Sequence, residues 1–331
     1  MTARPRLDLA TAPHVTSGLS TRRLMGEVLL ATVPVIVAAA WAFGAAALLV
    51  VAASALGATA TERLLSRSGS RLGSLADGSA LLTGVLLALT LPPSIPLWMA
   101  FLGGAIAIGL GKAIWGGLGG NLFNPALVGR AFLQAAFPTV LTTWYPHGGG
   151  FFDFPASTFA PPLLRSSADV VTTATPLALA KFDAQVTGSG ALLLGDRAGS
   201  LGETCGLLLI VLCLILAWRR VFDWRLPLAT FLAVIAASGA LHLAQPDVHP
   251  VPTFMLLAGG LLFGAVFMVT DPVTTPITPR GAWIFGLGVG LLVVLIRRFG
   301  GLAEGVMYAI LLMNAVTPLI NRATQPRVFG G

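Results

Sequence analysis

Four short stretches of this sequence carry side chains that could do more than pack. The first is Gly116-Gly117-Leu118-Gly119-Gly120-Asn121-Leu122-Phe123-Asn124-Pro125-Ala126. Its glycines expose backbone amides and let a ligand approach closely. Asn121 and Asn124 bring donors and acceptors into an otherwise apolar region. Pro125 suits the first turn of a helix and Asn124 its N-cap, so helix capping and a ligand or ion site both account for the asparagine. The second stretch is Thr270-Asp271-Pro272-Val273-Thr274-Thr275-Pro276. Asp271 ends an apolar run, where a carboxylate is costly unless solvated, paired or ion-bound. The third is Arg130, close behind Asn124 in one run. A guanidinium there needs an anion or carbonyl partner, either an acid that only ties helices together or a flavin or phosphate. The fourth is Asp169-Val170-Val171-Thr172-Thr173-Ala174-Thr175-Pro176-Leu177. By composition alone it is a Thr-rich turn, in which Thr172, Thr173 and Thr175 compete with the nearby Ser166 and Ser167.

The elements that must hold these residues are apolar. Of 331 residues 56% are hydrophobic and 10% charged, against roughly 25% charged in an ordinary soluble domain. Mean hydropathy is +0.86. This excludes soluble enzyme folds, and the lack of period-two alternation excludes an outer-membrane barrel. The sequence predicts an all-α polytopic membrane protein with about ten transmembrane helices. Candidate spans are 25–43, 45–61, 78–92, 96–113, 124–138, 203–218, 227–244, 252–270, 282–297 and 303–320. Residues 1–23 are then a polar cytoplasmic segment, 24–138 a first five-helix half, 139–202 an extracytoplasmic loop and 203–331 a second half. Arg22-Arg23 before an apolar run has a trace of an export signal, but further apolar runs follow, so it is taken as a cytoplasmic flank.

The net charge of +7 sits at the ends of apolar runs and forms no basic face, which argues for orientation and against nucleic-acid binding. With the N-terminus in the cytoplasm and ten crossings, inside segments hold 14 Lys and Arg and outside segments 5, Arg130 lying within a span. Both termini are therefore expected in the cytoplasm. Arg297-Arg298 falls on the wrong side, with only Glu304 nearby to account for it. Cys205 and Cys213 lack disulfide or metal-ligand spacing and are expected to pack as small hydrophobes.

Leu81–Pro96 aligns with Leu261–Pro276 at an offset of 180, with six of sixteen positions identical. These include Gly84/Gly264, Thr90/Thr270, Pro92/Pro272 and Pro96/Pro276. Five spans separate the copies, so the second is inverted, the plan of many transport folds with sites at broken helices near the midplane. Chance agreement of two Pro-ended helices is the other account. The fold class expected is thus two inverted five-helix repeats with broken helices.

Together these motifs resemble the RnfD/NqrB family, the membrane subunits shared by the Rnf electron-transport complex and the sodium-translocating NADH:quinone reductase. The matching stretches are Ala12-Pro13-His14, Asp77–Gly84, Gly116–Ala126, Asp169–Leu177, Phe267–Pro279 and Pro326–Gly330, which reach across essentially the whole chain. The short polar start resembles the Rnf member of the pair. The resemblance implies FMN joined through its phosphate to the last threonine of a motif Asp-x-x-Ser-Gly-Ala-Thr, here Thr175. Thr172 stands for the serine, and Thr173 departs from the glycine. It also implies a non-covalent flavin of riboflavin type, for which Asn121, Asn124 and Asp271 are candidates, with Arg130 as a further cofactor-binding candidate.

The function implied is that of a flavoprotein subunit of a redox-driven translocase in the bacterial inner membrane. It would couple electron transfer between ferredoxin and NAD(H) to cation transport. Its partners would be other membrane and flavin subunits, the transported cation and the bilayer, with no nucleic acid. The chain has no dinucleotide fingerprint and would not itself bind NAD. Two alternatives stand beside this: an NqrB-like part of the quinone reductase, and a cofactor-free channel or transporter, for which covalent FMN on Thr175 would have no use. The sequence does not distinguish sodium from protons as the coupling ion.

Overall fold

Inside a bilayer only intrahelical bonds can satisfy every backbone N–H and C=O, so the apolar runs fold as helices. The computed structural model describes residues 20–66, 75–145, 148–162, 173–183, 185–195 and 198–326. Ser166, Ser167, Thr172 and the motif Ala12-Pro13-His14 lie outside the described residues.

The first part of the chain forms α1 (Thr21–Phe43), α2 (Ala45–Leu65), α3 (Ser79–Leu89), α4 (Leu97–Ile108), α5 (Pro125–Ala136) and α6 (Pro138–Thr142). Short helices α7 (Pro176–Phe182) and α8 (Ser189–Leu194) follow. The second part forms α9 (Gly206–Trp218), α10 (Arg225–Ala244), α11 (Pro252–Leu257), α12 (Leu261–Phe267), α13 (Pro279–Phe299) and α14 (Val306–Thr324). Five of these, α1, α2, α10, α13 and α14, are long and apolar enough to cross a bilayer unbroken. The other expected spans are shorter or interrupted. The run 252–270 divides at Gly259, whose φ of +69° ends α11, and 96–113 finishes in a π-helical turn at Gly109–Ala113.

Small residues set the closest helix contacts. A Cβ on Gly104 would collide with Ser54 O of α2, and one on Gly290 with Thr230 O of α10. Close backbone approach of this kind is how helices associate in lipid, where apolar side chains gain little by leaving the bilayer. At its N-terminus α1 starts at Thr21, because Ser20 Oγ accepts from Arg23 N at 3.3 Å. Arg22 and Arg23 therefore lie in the first turn of α1. Glu27 pairs with both Arg23 (3.2 Å) and Arg219 (3.1 Å).

The described parts of residues 139–202, a segment expected as a loop, fold back onto the helices. Leu177, Leu192 and Leu201 are buried. The reason is the break after α3, where Thr90-Leu91-Pro92 leaves backbone groups unsatisfied. Leu201 N donates to Leu91 O (3.1 Å), Leu97 N to Thr158 O (3.1 Å) and Ser157 Oγ to Ser94 O (2.5 Å). Irregular backbone at this depth is tolerated only when buried in protein in this way.

The two broken helices run in opposite directions. α3 leads from Ser79, beside Asp271, to Thr90, beside Arg130 and Glu203. α12 leads from Gly260, beside Glu203, to Thr270 and Asp271. α5 spans the same interval, from Asn124 to Arg130.

Candidate functional site

The five residues singled out from sequence fall into two cavities. Thr175 and Arg130 line one of about 700 Å³, together with Trp144, Thr173, Glu304 and Tyr308. This is within the roughly 300–1,000 Å³ of small-molecule sites.

Thr175 precedes a proline, which disfavours the α region, and it is extended at φ −71°, ψ 155°. Its Oγ1 accepts from Ala178 N at 3.2 Å and caps α7. Two anchors fix this turn. Leu177 is buried, and Lys181 Nζ donates to Gly300 O (2.5 Å) and Leu302 O (2.8 Å). Burial, with help from the Arg298 charge, pulls the Lys181 pKa below its ordinary value. On the other side Thr173 N donates to Trp144 O at 3.1 Å, making an antiparallel bridge. The Thr173 hydroxyl is buried on the cavity wall with no partner among the described residues.

Beneath this strand lies a charged floor that the sequence only hinted at. Arg297 is 2% exposed. It donates to Met255 O (2.6 Å), Ala258 O (3.0 Å) and both Glu304 oxygens (3.0 and 3.1 Å). Glu304 also accepts from Gly260 N and Gly305 N, each at 2.9 Å. A Cβ on Gly259 would strike Glu304 and Leu177, so the break between α11 and α12 is what lets the carboxylate in. Arg297 is thus a buried ion-pair member and not a flank charge. Arg298 donates to Val248 O at 3.0 Å.

Arg130 is half-buried on α5. The Glu203, Glu304 and Tyr308 side chains act on it electrostatically. Among the described residues, however, no hydrogen bond or ion pair reaches its guanidinium. The helix-tying ion pair, one of its two expected roles, is therefore not what holds it.

The second cavity is small, about 60 Å³, room for a few waters. Asn121, Asn124, Asp271, Ser79 and Lys112 line it. Asn124 does what its place before Pro125 suggests: its Oδ1 accepts from Leu127 N at 3.3 Å. It also reaches across to the second half, its Nδ2 donating to Asp271 Oδ2 at 3.5 Å. Asp271 is neither free nor simply solvated, since it accepts from Thr274 Oγ1 (3.0 Å) and Val273 N (3.2 Å). Asn121 is 5% exposed; its Nδ2 donates to Phe123 O, and its Oδ1 has no partner among the described residues.

Sequence reasoning missed two members of this cluster. Asn314 is fully buried within α14. Its Oδ1 accepts from Asn124 N (3.2 Å) and its Nδ2 donates to Thr274 O (3.2 Å). An amide inside an apolar run was the available signal. Lys112, counted as a cytoplasmic flank charge, is 3% exposed. It bonds Glu62 Oε1 at 2.9 Å and Ser79 Oγ at 2.7 Å, a pairing with no local pattern to announce it.

Known proteins of similar sequence share nearly the whole chain. It is 40% identical to the D subunit of the proton-translocating ferredoxin:NAD(+) oxidoreductase complex of Clostridium ljungdahlii, covering 97% of this chain and 96% of the relative. It is 42% identical to the D subunit of the ion-translocating oxidoreductase complex of Stutzerimonas stutzeri, covering 94% and 92%. It is 38% identical to the D subunit of the Na(+)-translocating ferredoxin:NAD(+) oxidoreductase complex of Acetobacterium woodii, covering 98% and 95%. Residues 8–330 match the NQR2, RnfD, RnfE family. The chain belongs to that family.

Proposed function

We propose that this chain is the flavin-carrying D subunit of an Rnf-type, ion-translocating ferredoxin:NAD(+) oxidoreductase complex in a bacterial inner membrane. The observation that carries the flavin is the placement of Thr175. It stands extended and fixed on the wall of a ligand-sized cavity, with the Arg130 guanidinium and the Thr173 hydroxyl, neither with a hydrogen-bond partner among the described residues, on the same wall. These suit an anionic, hydrogen-bonding group larger than an ion. FMN esterified to Thr175 would supply electron transfer there. Thr175 and α7 would hold it in place, and Trp144 and Tyr308 offer aromatic surface. The wild-type chain, expressed with its flavin-attaching enzyme and run on a denaturing gel, should fluoresce and carry the mass of one FMN. A chain of unmodified mass would remove the proposal and leave the cofactor-free transporter.

The smaller cavity supports a different role. A carboxylate and an orphaned amide oxygen in a space of a few waters suit a hydrated cation or a proton; a riboflavin ring would need the walls to part. Asn124→Ala removes one polar partner, worth about 1–3 kcal/mol, and Asp271→Asn removes the carboxylate charge. Both should lower coupled ion transport several-fold while assembly and the Thr175 flavin persist. Undiminished transport in both variants would overturn the assignment. The names of the relatives divide between proton and sodium, and either ion fits this cluster.

The opposed course of α3 and α12 between the two cavities supports the inverted five-helix repeats. The charge count supports cytoplasmic termini, with the Thr175 cavity on the far side. The ferredoxin named in two of the relatives favours the Rnf assignment over a quinone reductase.

A further inference from the structure

We infer that Arg130 is the positive charge that faces the flavin on Thr175 and raises its reduction potential. The inference rests on the assignment of Thr175 above and goes beyond it in naming the residue that tunes the group. The half-buried Arg130 stands apart from the two buried cations among the described residues. Lys112 closes on Glu62 at 2.9 Å and Arg297 on Glu304 at 3.0 Å, whereas Arg130 has five N–H donors and no hydrogen bond among the described residues. A half-buried guanidinium on a cavity wall, with no hydrogen-bond partner among the described residues, is costly to leave unmatched, so its place calls for an anionic occupant. The nearby carboxylates do not fill that need. Glu304 is already taken by Arg297 and by the N–H groups of Gly260, Gly305 and Val306, and Glu203 accepts from Ser200 Oγ at 2.5 Å. Both therefore leave the donors of Arg130 to the cavity.

The position on α5 makes this charge a fixed one. Asn124 caps the helix, and Leu127 and Leu133, one turn to either side of Arg130, are buried, so Arg130 projects from a rigid support. Adding one electron to the flavin adds one negative charge to it. A fixed cation in a cavity of low dielectric stabilises that charge far more than water-screened charge would, and charge near the flavin ring is a recognised means by which a protein sets its electronics.

The test uses the full chain in detergent, expressed with its flavin-attaching enzyme. The Thr175 flavin is titrated electrochemically as the difference from the Thr175→Val chain. In Arg130→Met and Arg130→Gln the ratio of oxidised to reduced flavin at the wild-type midpoint should rise at least about tenfold, equal to about 59 mV for one electron. Arg130→Lys should keep most of the wild-type value. An unmoved midpoint in a variant with a full fluorescent band would overturn the inference and leave Thr175 standing. Loss of the band in both neutral variants, with the chain still in the membrane, would also overturn it, making Arg130 a residue of flavin attachment. A wild-type chain without the band would bring down both assignments.

Discussion

Thr175→Val should abolish the covalent flavin band on a denaturing gel and leave the chain in the membrane. Valine keeps the shape of threonine and removes only the hydroxyl. The loss has a structural side, since Thr175 Oγ1 caps α7, and losing an N-cap costs about 0.5–2 kcal/mol. The turn survives this because its other anchors do not depend on the hydroxyl: the buried Leu177, the paired Lys181 and the Trp144 bridge all remain. Thr173→Val is the sharper control. Its hydroxyl lies on the same wall without a partner among the described residues, so the substitution should preserve both fold and band. Thr172→Val should likewise keep the band. Fluorescence that persists in Thr175→Val, or that disappears in Thr173→Val alone, would move the attachment site.

The sequence made local features readable and hid those made by distant partners. Asn124-Pro125 could be read as a helix start because a cap and its proline are set by neighbouring backbone. Thr175 could be placed outside a helix because Pro176 constrains only the residue before it. The break at Thr270-Asp271-Pro272 was visible as a proline-ended run. The division of 252–270 at Gly259 was not, because its cause is the approach of Glu304 and Leu177 from elsewhere in the chain. The folding back of the described parts of residues 139–202 was hidden for a similar reason: it answers backbone groups freed by the break after α3. Charge counting treats every cation as a flank, and so misses that Lys112 and Arg297 are buried members of ion pairs. At the candidate site, the five chosen residues were legible by type, but their sorting was not. Asn124 and Arg130 lie on one helix yet serve different cavities, since successive turns of α5 face opposite ends of the broken helices.

Arg297→Met should be the most destabilising single substitution near the site. Removing one partner of a buried ion pair costs about 3–5 kcal/mol. Glu304 is 28% exposed to the cavity, which places the effect toward the low end of that range. The guanidinium also satisfies Met255 O and Ala258 O, and both carbonyls would be stranded at the end of α11. The expected result is a clear fall in the melting temperature of the detergent-solubilised chain. Arg298→Met provides the comparison. Arg298 holds one carbonyl, Val248 O, at an exposed position, so its loss should stay within about 1 kcal/mol. Adding Glu304→Leu to Arg297→Met should recover part of the stability, because the uncompensated carboxylate goes with it. Recovery should be incomplete, since Gly260 N, Gly305 N and Val306 N then lose their acceptor. This non-additivity separates a buried pair from two independent packing residues, whose effects would sum. Arg297→Met with a wild-type melting temperature, or a double variant that falls by the full sum of the singles, would show that the pair does not hold the break between α11 and α12 open. The same break seats Leu177, two residues beyond Thr175, so a true loss of the pair should also blunt flavin attachment without any change to the acceptor hydroxyl.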